Sequence, residues 1–215
     1  MSDQSAAGRP AAARSARDTD GLDPANDPLR ETLVASEVLR KSRILEFRID
    51  TIETPDGRRS TRDIAAHPGA VAVVAIDDQD RVLMVRQWRH ATGGPLLEIP
   101  AGTLDRLPDG SLEDHAAAAA RELEEETGSR ATSWRLLGSF YTAPGFTSEL
   151  MYLYFATGLT SSHADGLQPD EDEHLELRLV PFDDALAMAT GGDIHDAKSM
   201  IGILAAARIR EAGAS

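Results

Sequence analysis

The sequence predicts an α/β layered domain that follows a small antiparallel β unit. The continuous apolar run 70–76 is typical of a strand buried on both faces. The alanine-rich segment Leu112–Thr127 has a high helix propensity, and Gly128 is a natural stop for a helix. Strands that alternate with helices at this spacing indicate helices layered on a sheet.

Three segments follow one another along the chain. Residues 1–31 carry few large apolar side chains and are predicted to form a disordered tail. Residues 32–64 are predicted to form antiparallel strands, because apolar and charged residues alternate over 45–50 ahead of a Pro-Asp-Gly turn. Residues 65–215 are predicted to form the main domain.

The remaining elements of the main domain are predicted from shorter patterns. Apolar runs bounded by turns indicate strands at 82–85, 96–99, 134–141, 150–156 and 176–180. Two helices end the chain, at 182–189 and at about 195–210. The second of these is predicted because apolar residues recur at helical spacing.

The composition excludes several classes of protein. The 215 residues include 36 acidic and 22 basic side chains, and the net charge of −14 argues against binding nucleic acid or an anionic membrane through the overall field. The absence of cysteine excludes disulfides, thiolate metal sites and thiol nucleophiles. No apolar stretch reaches the roughly 18 residues of a membrane span, and no signal sequence is recognisable, so we predict a cytoplasmic protein.

Glutamates are concentrated near the end of the alanine-rich segment. Glu122 and Glu126 are one helical turn apart with Glu125 beside them, and each like-charge pair costs about 0.2–0.5 kcal/mol. The helix dipole also disfavours anions at this end. The cluster is either a solvated charged face or a site for a hard cation such as Mg²⁺, which binds oxygen ligands.

Residues around this cluster complete a known pattern. Gly102, Glu113 and the segment 121–128 resemble the signature of the Nudix hydrolases, G-x5-E-x7-R-E-U-x-E-E-x-G-U, where U is aliphatic. The loop after Gly102 is longer than in the signature, and Ser129 replaces the last aliphatic residue, but neither departure removes a carboxylate. The resemblance covers roughly residues 36–210. It implies a Nudix-type α/β/α sandwich with a mixed sheet, preceded by the small N-terminal antiparallel β unit.

A second set of segments is similar to the ADP-ribose pyrophosphatase branch of that family. These are residues 85–89, 96–102 and 142–149, the last with a Pro-Gly turn. The similarity implies Mg-dependent hydrolysis of the diphosphate bond of ADP-ribose to AMP and ribose 5-phosphate by metal-activated water. Two alternatives stay open. One is a pyrophosphatase for another nucleoside diphosphate sugar, such as GDP-mannose, and the other is a non-hydrolysing ADP-ribose-binding Nudix module.

The resemblance also implies the metal ligands. These are the carboxylates of Glu122 and Glu126 and the main-chain carbonyl of Ala101, with Glu125 as an additional ligand. Two or three Mg²⁺ ions, for which Mn²⁺ can substitute, would neutralise and polarise the diphosphate.

Catalytic roles are implied for three more side chains. An acidic loop late in the chain resembles the loop that supplies the catalytic base in this branch, and Glu171 is favoured over Glu173. The alternative is an ordinary solvated acidic loop. Arg121 is interpreted as a half-buried cation that orients glutamates, Glu113 or Glu98 among them, rather than as a substrate contact.

Substrate binding is assigned to two parts of the chain. Arg89 carries a planar guanidinium that suits a pair of phosphate oxygens, and the matching position in the family contacts ligand. Arg86 is either a second such residue or a surface ion-pair residue, and Glu98 is included in the same set. The remaining members lie at the Pro-Gly turn, where the aromatic ring lines the adenosine pocket or belongs to the core; they are Pro144, Gly145 and Phe146.

The small N-terminal unit predicts the assembly. Its strands are too poor in apolar residues to be stable alone and must pack on another surface. In the resembling branch this unit packs across the partner subunit, which implies a homodimer. A small nucleoside diphosphate is the only other partner expected, with neither nucleic acid nor membrane.

Overall fold

The computed structural model describes residues 27–162 and 174–213. These residues form ten strands and three α-helices, and the mixed α/β fold class predicted from the sequence is confirmed. Most of the predicted tail, residues 1–26, lies outside the described residues. Within those two ranges no helix is long and apolar enough to cross a membrane.

The chain divides into two compact units. Among the described residues, one unit contains 70–138, 152–162 and 174–213, and the other contains 27–69 and 139–151.

The second unit carries the predicted N-terminal antiparallel sheet. Its strands are β1 (Thr32–Lys41), β2 (Glu46–Glu53) and β3 (Arg59–Ala66), with β2 in the centre and antiparallel to both neighbours. The Pro-Asp-Gly turn joins β2 to β3, and Gly57 adopts a φ of 82° there. Strand β1 has no alternating pattern, because it is exposed along its whole length.

The other strands form two sheets. One has the order β10-β5-β6 and the other has the order β7-β4-β9-β8. The strands are β4 (Ala70–Ala75), β5 (Arg81–Arg89), β6 (Gly94–Glu98), β7 (Ala101–Thr103), β8 (Ser129–Tyr141), β9 (Leu150–Ser161) and β10 (Leu175–Pro181). The helices are α1 (His115–Thr127), α2 (Phe182–Gly191) and α3 (Ala197–Gly213).

Strand β4 is fully buried and is covered by helices α1 and α3. Successive side chains of a strand point to opposite faces. Val71 and Val73 belong to the cluster that contains Leu123 of α1. On α3, a Cβ added to Gly202 would lie 2.8 Å from Cγ2 of Val74, so glycine permits close packing. This core fixes the positions of α1 and α3, which both carry charged residues described in the next subsection.

Helix α1 begins three residues later than the alanine pattern predicted. The Asp114 carboxylate accepts hydrogen bonds from the backbone N–H groups of Ala116 and Ala117, both at 3.1 Å, and so caps the helix. Gly128 ends the helix with a φ of 63°, as expected for a C-terminal glycine. The whole glutamate cluster therefore lies in the last two turns of α1.

Strand β5 is longer than its apolar run. It continues through polar residues to Arg89, because pairing with β6 satisfies this part of the backbone. Arg89 lies opposite Gly94 at the end of the pairing. It is therefore a strand residue, not a residue of the following loop.

Candidate active site

The turn between β6 and β7 lies against the glutamate face of α1. The backbone N–H of Ala101 donates to Oε2 of Glu126 at 3.0 Å. A Cβ added to Gly102 would lie 2.0 Å from Cδ of Glu122, so the carboxylate can hold this position only because residue 102 is glycine. Glu122 and Glu126 are each 8% exposed. The fold thus places the predicted metal-ligating residues around one buried turn.

Arg121 is surrounded by carboxylates. Its guanidinium donates to Glu113 at 2.9 Å, to Glu122 at 2.8 Å and to Glu125 at 2.7 Å. Burial alone lowers the pKa of Arg121, but the hydrogen bond to Glu113 and the charge of Glu122 outweigh it, so the pKa lies above its usual value. Arg121 therefore remains charged and fixes the orientation of three acidic side chains. Glu98, the other partner considered from the sequence, pairs elsewhere.

The donor atoms on this face of α1 suit a hard divalent cation. They are all oxygens, and the missing side chain of Gly102 lets the Glu122 carboxylate lie directly against the turn. Across residues 27–162 and 174–213, no three His, Asp or Glu side chains are arranged as a complete metal-binding group. A cation would therefore share carboxylates with Arg121 and take further oxygens from the main chain.

Glu98 is the centre of a second charged cluster. It is buried, and it accepts two parallel hydrogen bonds from Arg89, with Nε to Oε1 at 2.7 Å and Nη2 to Oε2 at 2.8 Å. Lys198 also donates to Oε2 of Glu98. Burial raises the pKa of Glu98, but the hydrogen bonds from Arg89 and the charge of Lys198 outweigh it and hold the pKa below its usual value.

Arg89 is positioned to present its charge. Its side chain is 41% exposed, although the Glu98 carboxylate beneath it is buried. The hydrogen bonds to Glu98, assisted by the charges of Glu98 and Glu126, raise the pKa of Arg89 above its usual value. The negative charge of Glu126 on α1 thus acts on the pKa of Arg89 in the same direction as that of Glu98.

Lys198 was missed in the sequence analysis. It is one of only two lysines in the chain, and this was the one available signal. Its partner Glu98 lies 100 residues earlier, so no local spacing relates the two.

Three further residues predicted for the site are Arg86, Glu171 and Glu173. Arg86 is exposed on β5, where its Nη1 is 3.5 Å from Oε2 of Glu176, as in a surface ion pair. Glu171 and Glu173 lie outside the described residues.

The Pro-Gly turn belongs to the second unit. Pro144, Gly145 and Phe146 are all exposed, and the Phe146 side chain is 58% exposed. The backbone N–H of Phe146 donates to the carbonyl of Ala143 at 3.1 Å, and Ala65 N–H donates to the carbonyl of Phe146 at 2.8 Å. The turn is therefore held by main-chain hydrogen bonds, and its aromatic ring remains accessible.

Comparison with known proteins identifies the family. A family model described as the NUDIX domain matches residues 66–200. The chain therefore belongs to the Nudix family, and the resemblance found in its sequence is confirmed. It is a Nudix hydrolase, a class of enzyme that generally uses a divalent metal.

Individual relatives cover most of the chain. The methanol dehydrogenase activator of Bacillus methanolicus is 39% identical over 174 residues, which are 80% of this chain and 90% of the relative. The ADP-ribose pyrophosphatase of Bacillus subtilis (strain 168) is 36% identical over 175 residues, which are 81% of this chain and 91% of the relative.

A solved structure supports the fold. The crystal structure of an ADP compounds hydrolase matches with a TM-score of 0.73 and covers 86% of this chain and 96% of that chain. At 24% sequence identity, this similarity shows the fold alone.

Proposed function

We propose that this Nudix hydrolase splits the diphosphate bond of ADP-ribose to AMP and ribose 5-phosphate, with Mg²⁺ as its metal. The observation that carries the proposal is the buried glutamate face of α1 packed against Gly102. The name of the Bacillus subtilis relative, an ADP-ribose pyrophosphatase at 36% identity, supports this choice of substrate.

Residues of α1 and the first residue of β7 would hold the metal. Glu122, Glu126 and the main-chain carbonyl of Ala101 are the proposed ligands, with Glu125 as an additional one. When bound, Mg²⁺ neutralises phosphate charge and makes water a better nucleophile at neutral pH. Arg121 keeps the carboxylates aligned, since its guanidinium donates to Glu122 and Glu125 at the same time.

Arg89 is the proposed phosphate contact. Two of its nitrogens, Nε and Nη2, donate to Glu98, so the remaining edge of the exposed guanidinium can face a phosphate oxygen. The bidentate pair fixes the plane of the guanidinium before substrate arrives. Such preorganisation lowers the entropic cost of binding.

Roles for the remaining residues are proposals from the sequence resemblance. Glu171 or Glu173 would act as the base that accepts the proton of the attacking water. Arg86 would add a second cation, and Glu98 acts through Arg89. The accessible ring of Phe146, beside Pro144 and Gly145, would offer an aromatic face to adenine.

Substitution of Glu126 by glutamine tests the metal assignment. Glu126→Gln keeps the shape of the side chain but removes its charge, and kcat/KM for ADP-ribose should fall on the order of 100-fold or more. Glu124→Gln is the matched control on the same helix, because Glu124 pairs with Arg130. Its activity should stay within about threefold of wild type. Hydrolysis is measured as phosphate released after phosphatase treatment.

The same assay decides between substrates. Wild-type protein is compared on ADP-ribose and GDP-mannose at equal concentrations with Mg²⁺. Faster turnover of GDP-mannose would replace the proposed substrate, and equal activity of Glu126→Gln and wild type would overturn the metal assignment. Tight binding of ADP-ribose in calorimetry without any turnover would instead identify a binding module.

We also propose that the protein is a homodimer formed through its N-terminal strands. Strand β1 exposes large apolar side chains, among them Leu33, Val38 and Leu39, which a partner subunit would cover. Sedimentation at low micromolar concentration should give twice the 23.1 kDa mass of one chain. A single-chain mass would contradict the proposal.

We also propose, from the sequence, that the protein is located in the cytoplasm.

A further inference from the structure

Lys198 is a buried lysine with no role in the reaction described so far. Its side chain is only 10% exposed, and it contacts two carboxylates: Oε2 of Glu98, and Oδ1 of Asp196 at 3.0 Å. A buried charge is tolerated only where opposite charges and hydrogen bonds compensate for lost hydration. Lys198 is therefore held firmly in place by two acidic side chains.

The start of helix α3 fixes this cluster to the turn that precedes Gly102. The Asp196 carboxylate accepts from the backbone N–H of Ser199 at 3.0 Å and from its hydroxyl at 2.5 Å, in the manner of a helix N-cap. The Ser199 hydroxyl oxygen in turn accepts from the backbone N–H of Ile99 at 2.8 Å. Glu98 and Lys198 are thus carried by two segments that are joined directly.

The charges of the cluster balance only because Lys198 is present. Glu98 and Asp196 contribute two negative charges, and Arg89 and Lys198 contribute two positive charges. Without Lys198, two carboxylates would oppose a single guanidinium in a region of low dielectric, where charges interact strongly. Arg89 is also influenced by the negative charge of Glu126. Its field at an incoming phosphate would then be largely cancelled.

We propose that Lys198 is a positioning residue for diphosphate binding, whose charge balances Glu98 and Asp196 so that Arg89 keeps its orientation and its positive field for a phosphate oxygen. This inference rests on the proposed function, in which Arg89 contacts the diphosphate. Lys198 itself touches neither the substrate nor the metal ligands in this scheme. Its effect passes through the Glu98 carboxylate.

Removal of the charge should weaken substrate binding more than turnover. Lys198→Met keeps most of the aliphatic stem, and KM should rise about tenfold with kcat within about twofold of wild type, because the lost attraction acts equally on ground state and transition state. The matched control is Arg208→Met, which removes a charge from the same helix at a side chain that is 82% exposed. Its KM should equal that of the wild type.

Substitution of Asp196 distinguishes the electrostatic role of Lys198 from a purely structural one, because only the electrostatic role predicts a lower KM. Asp196→Asn removes one negative charge but keeps an oxygen that can cap α3, so KM should fall about threefold. In the double variant Lys198→Met with Asp196→Asn, the charges balance again, and KM should return to within about threefold of wild type. If Lys198→Met fails to fold, the direction of the change in Asp196→Asn decides the question alone.

Two results would overturn the inference. One is an unchanged KM in folded Lys198→Met, and the other is an unchanged or raised KM in Asp196→Asn. All variants are compared on whichever nucleoside diphosphate the wild type hydrolyses fastest. Failure of the proposed function, seen as no turnover of ADP-ribose by the wild type, is therefore distinct from failure of the role of Lys198.

Discussion

Two arginines of the candidate active site, Arg121 and Arg89, both pair with carboxylates, but the net charge of the surrounding group differs. Arg121 on α1 donates to three glutamates, and its side chain is largely enclosed by them. Arg89 on β5 shares the single carboxylate of Glu98 with Lys198, and Asp196 completes a neutral group of four charges. One region keeps an excess of negative charge, and the other does not.

This difference indicates which ligand each region suits. Three carboxylates around one guanidinium leave net negative charge in a partly buried place, and a bound divalent cation relieves that repulsion. A balanced group with an exposed guanidinium needs no added cation and can attract an anion instead. The net charge of −14 is therefore compatible with a phosphate-bearing substrate, because part of the acidic excess lies where a metal would bind.

A large effect on activity is expected from adding a side chain at Gly102, where the Glu122 carboxylate lies. In Gly102→Ala the new Cβ would lie 2.0 Å from the Glu122 carboxylate, which is the flexible end of a side chain and must move aside. The fold should survive, while kcat/KM falls about 100-fold, since displacement of a charged group by about 1 Å has costs of this order. Affinity for Mn²⁺, measured by calorimetry, should fall with it.

Gly191→Ala is the control for this prediction. No heavy atom lies within 4 Å of a Cβ added to Gly191, and its φ is not positive. Activity and Mn²⁺ affinity should match the wild type. If Gly102→Ala kept full activity, the glutamate face of α1 would not be the region that needs an added cation. The assignment of the metal to the negatively charged region around Arg121 would then be wrong.

Sequence reasoning succeeded where the determining interactions are local. The glutamate cluster and the end of α1 at Gly128 follow from helical spacing and a glycine stop, both read within a few residues. The antiparallel β unit at the N-terminus follows from alternation and a turn. The start of α1 was placed too early, because the alanine pattern hid the capping role of Asp114.

Sequence reasoning failed where the partners are distant along the chain. The pairing of Glu98 with Lys198 joins β6 to α3 across 100 residues of sequence. No local sequence pattern predicts that a lysine is buried. Strand β1 pairs with β2, but all of its residues are exposed, so no alternation of buried and exposed residues marks it as a strand. The extension of β5 to Arg89 depends on hydrogen bonds to β6. The polar residues in this part of β5 do not predict a strand.

A smaller effect is expected on stability. The free energy of unfolding, and its dependence on pH, should distinguish the buried Glu98 carboxylate from a carboxylate in a surface ion pair. Glu98→Gln leaves Arg89 and Lys198 without their shared anion and should lower the free energy of unfolding at pH 7 by about 2 kcal/mol. Glu176→Gln, on an exposed surface pair with Arg86, should lower it by less than about 0.5 kcal/mol. Urea unfolding of each variant beside the wild type measures both changes.

The pH at which this gap closes follows from the sign of the pKa shift. Burial opposes the charge of Glu98, but Arg89 and Lys198 outweigh it, so the folded-state pKa lies below the ordinary value of 4.5. The stabilisation by the carboxylate is therefore complete above about pH 4.5 and is lost as the pH falls through the folded-state pKa. Glu98→Gln cannot titrate, so the gap from wild type should stay constant from pH 7 to about pH 4.5 and narrow below it. A gap that widened on acidification would mean that Arg89 and Lys198 do not stabilise the ionised carboxylate, and the charge balance assigned to this region would be wrong.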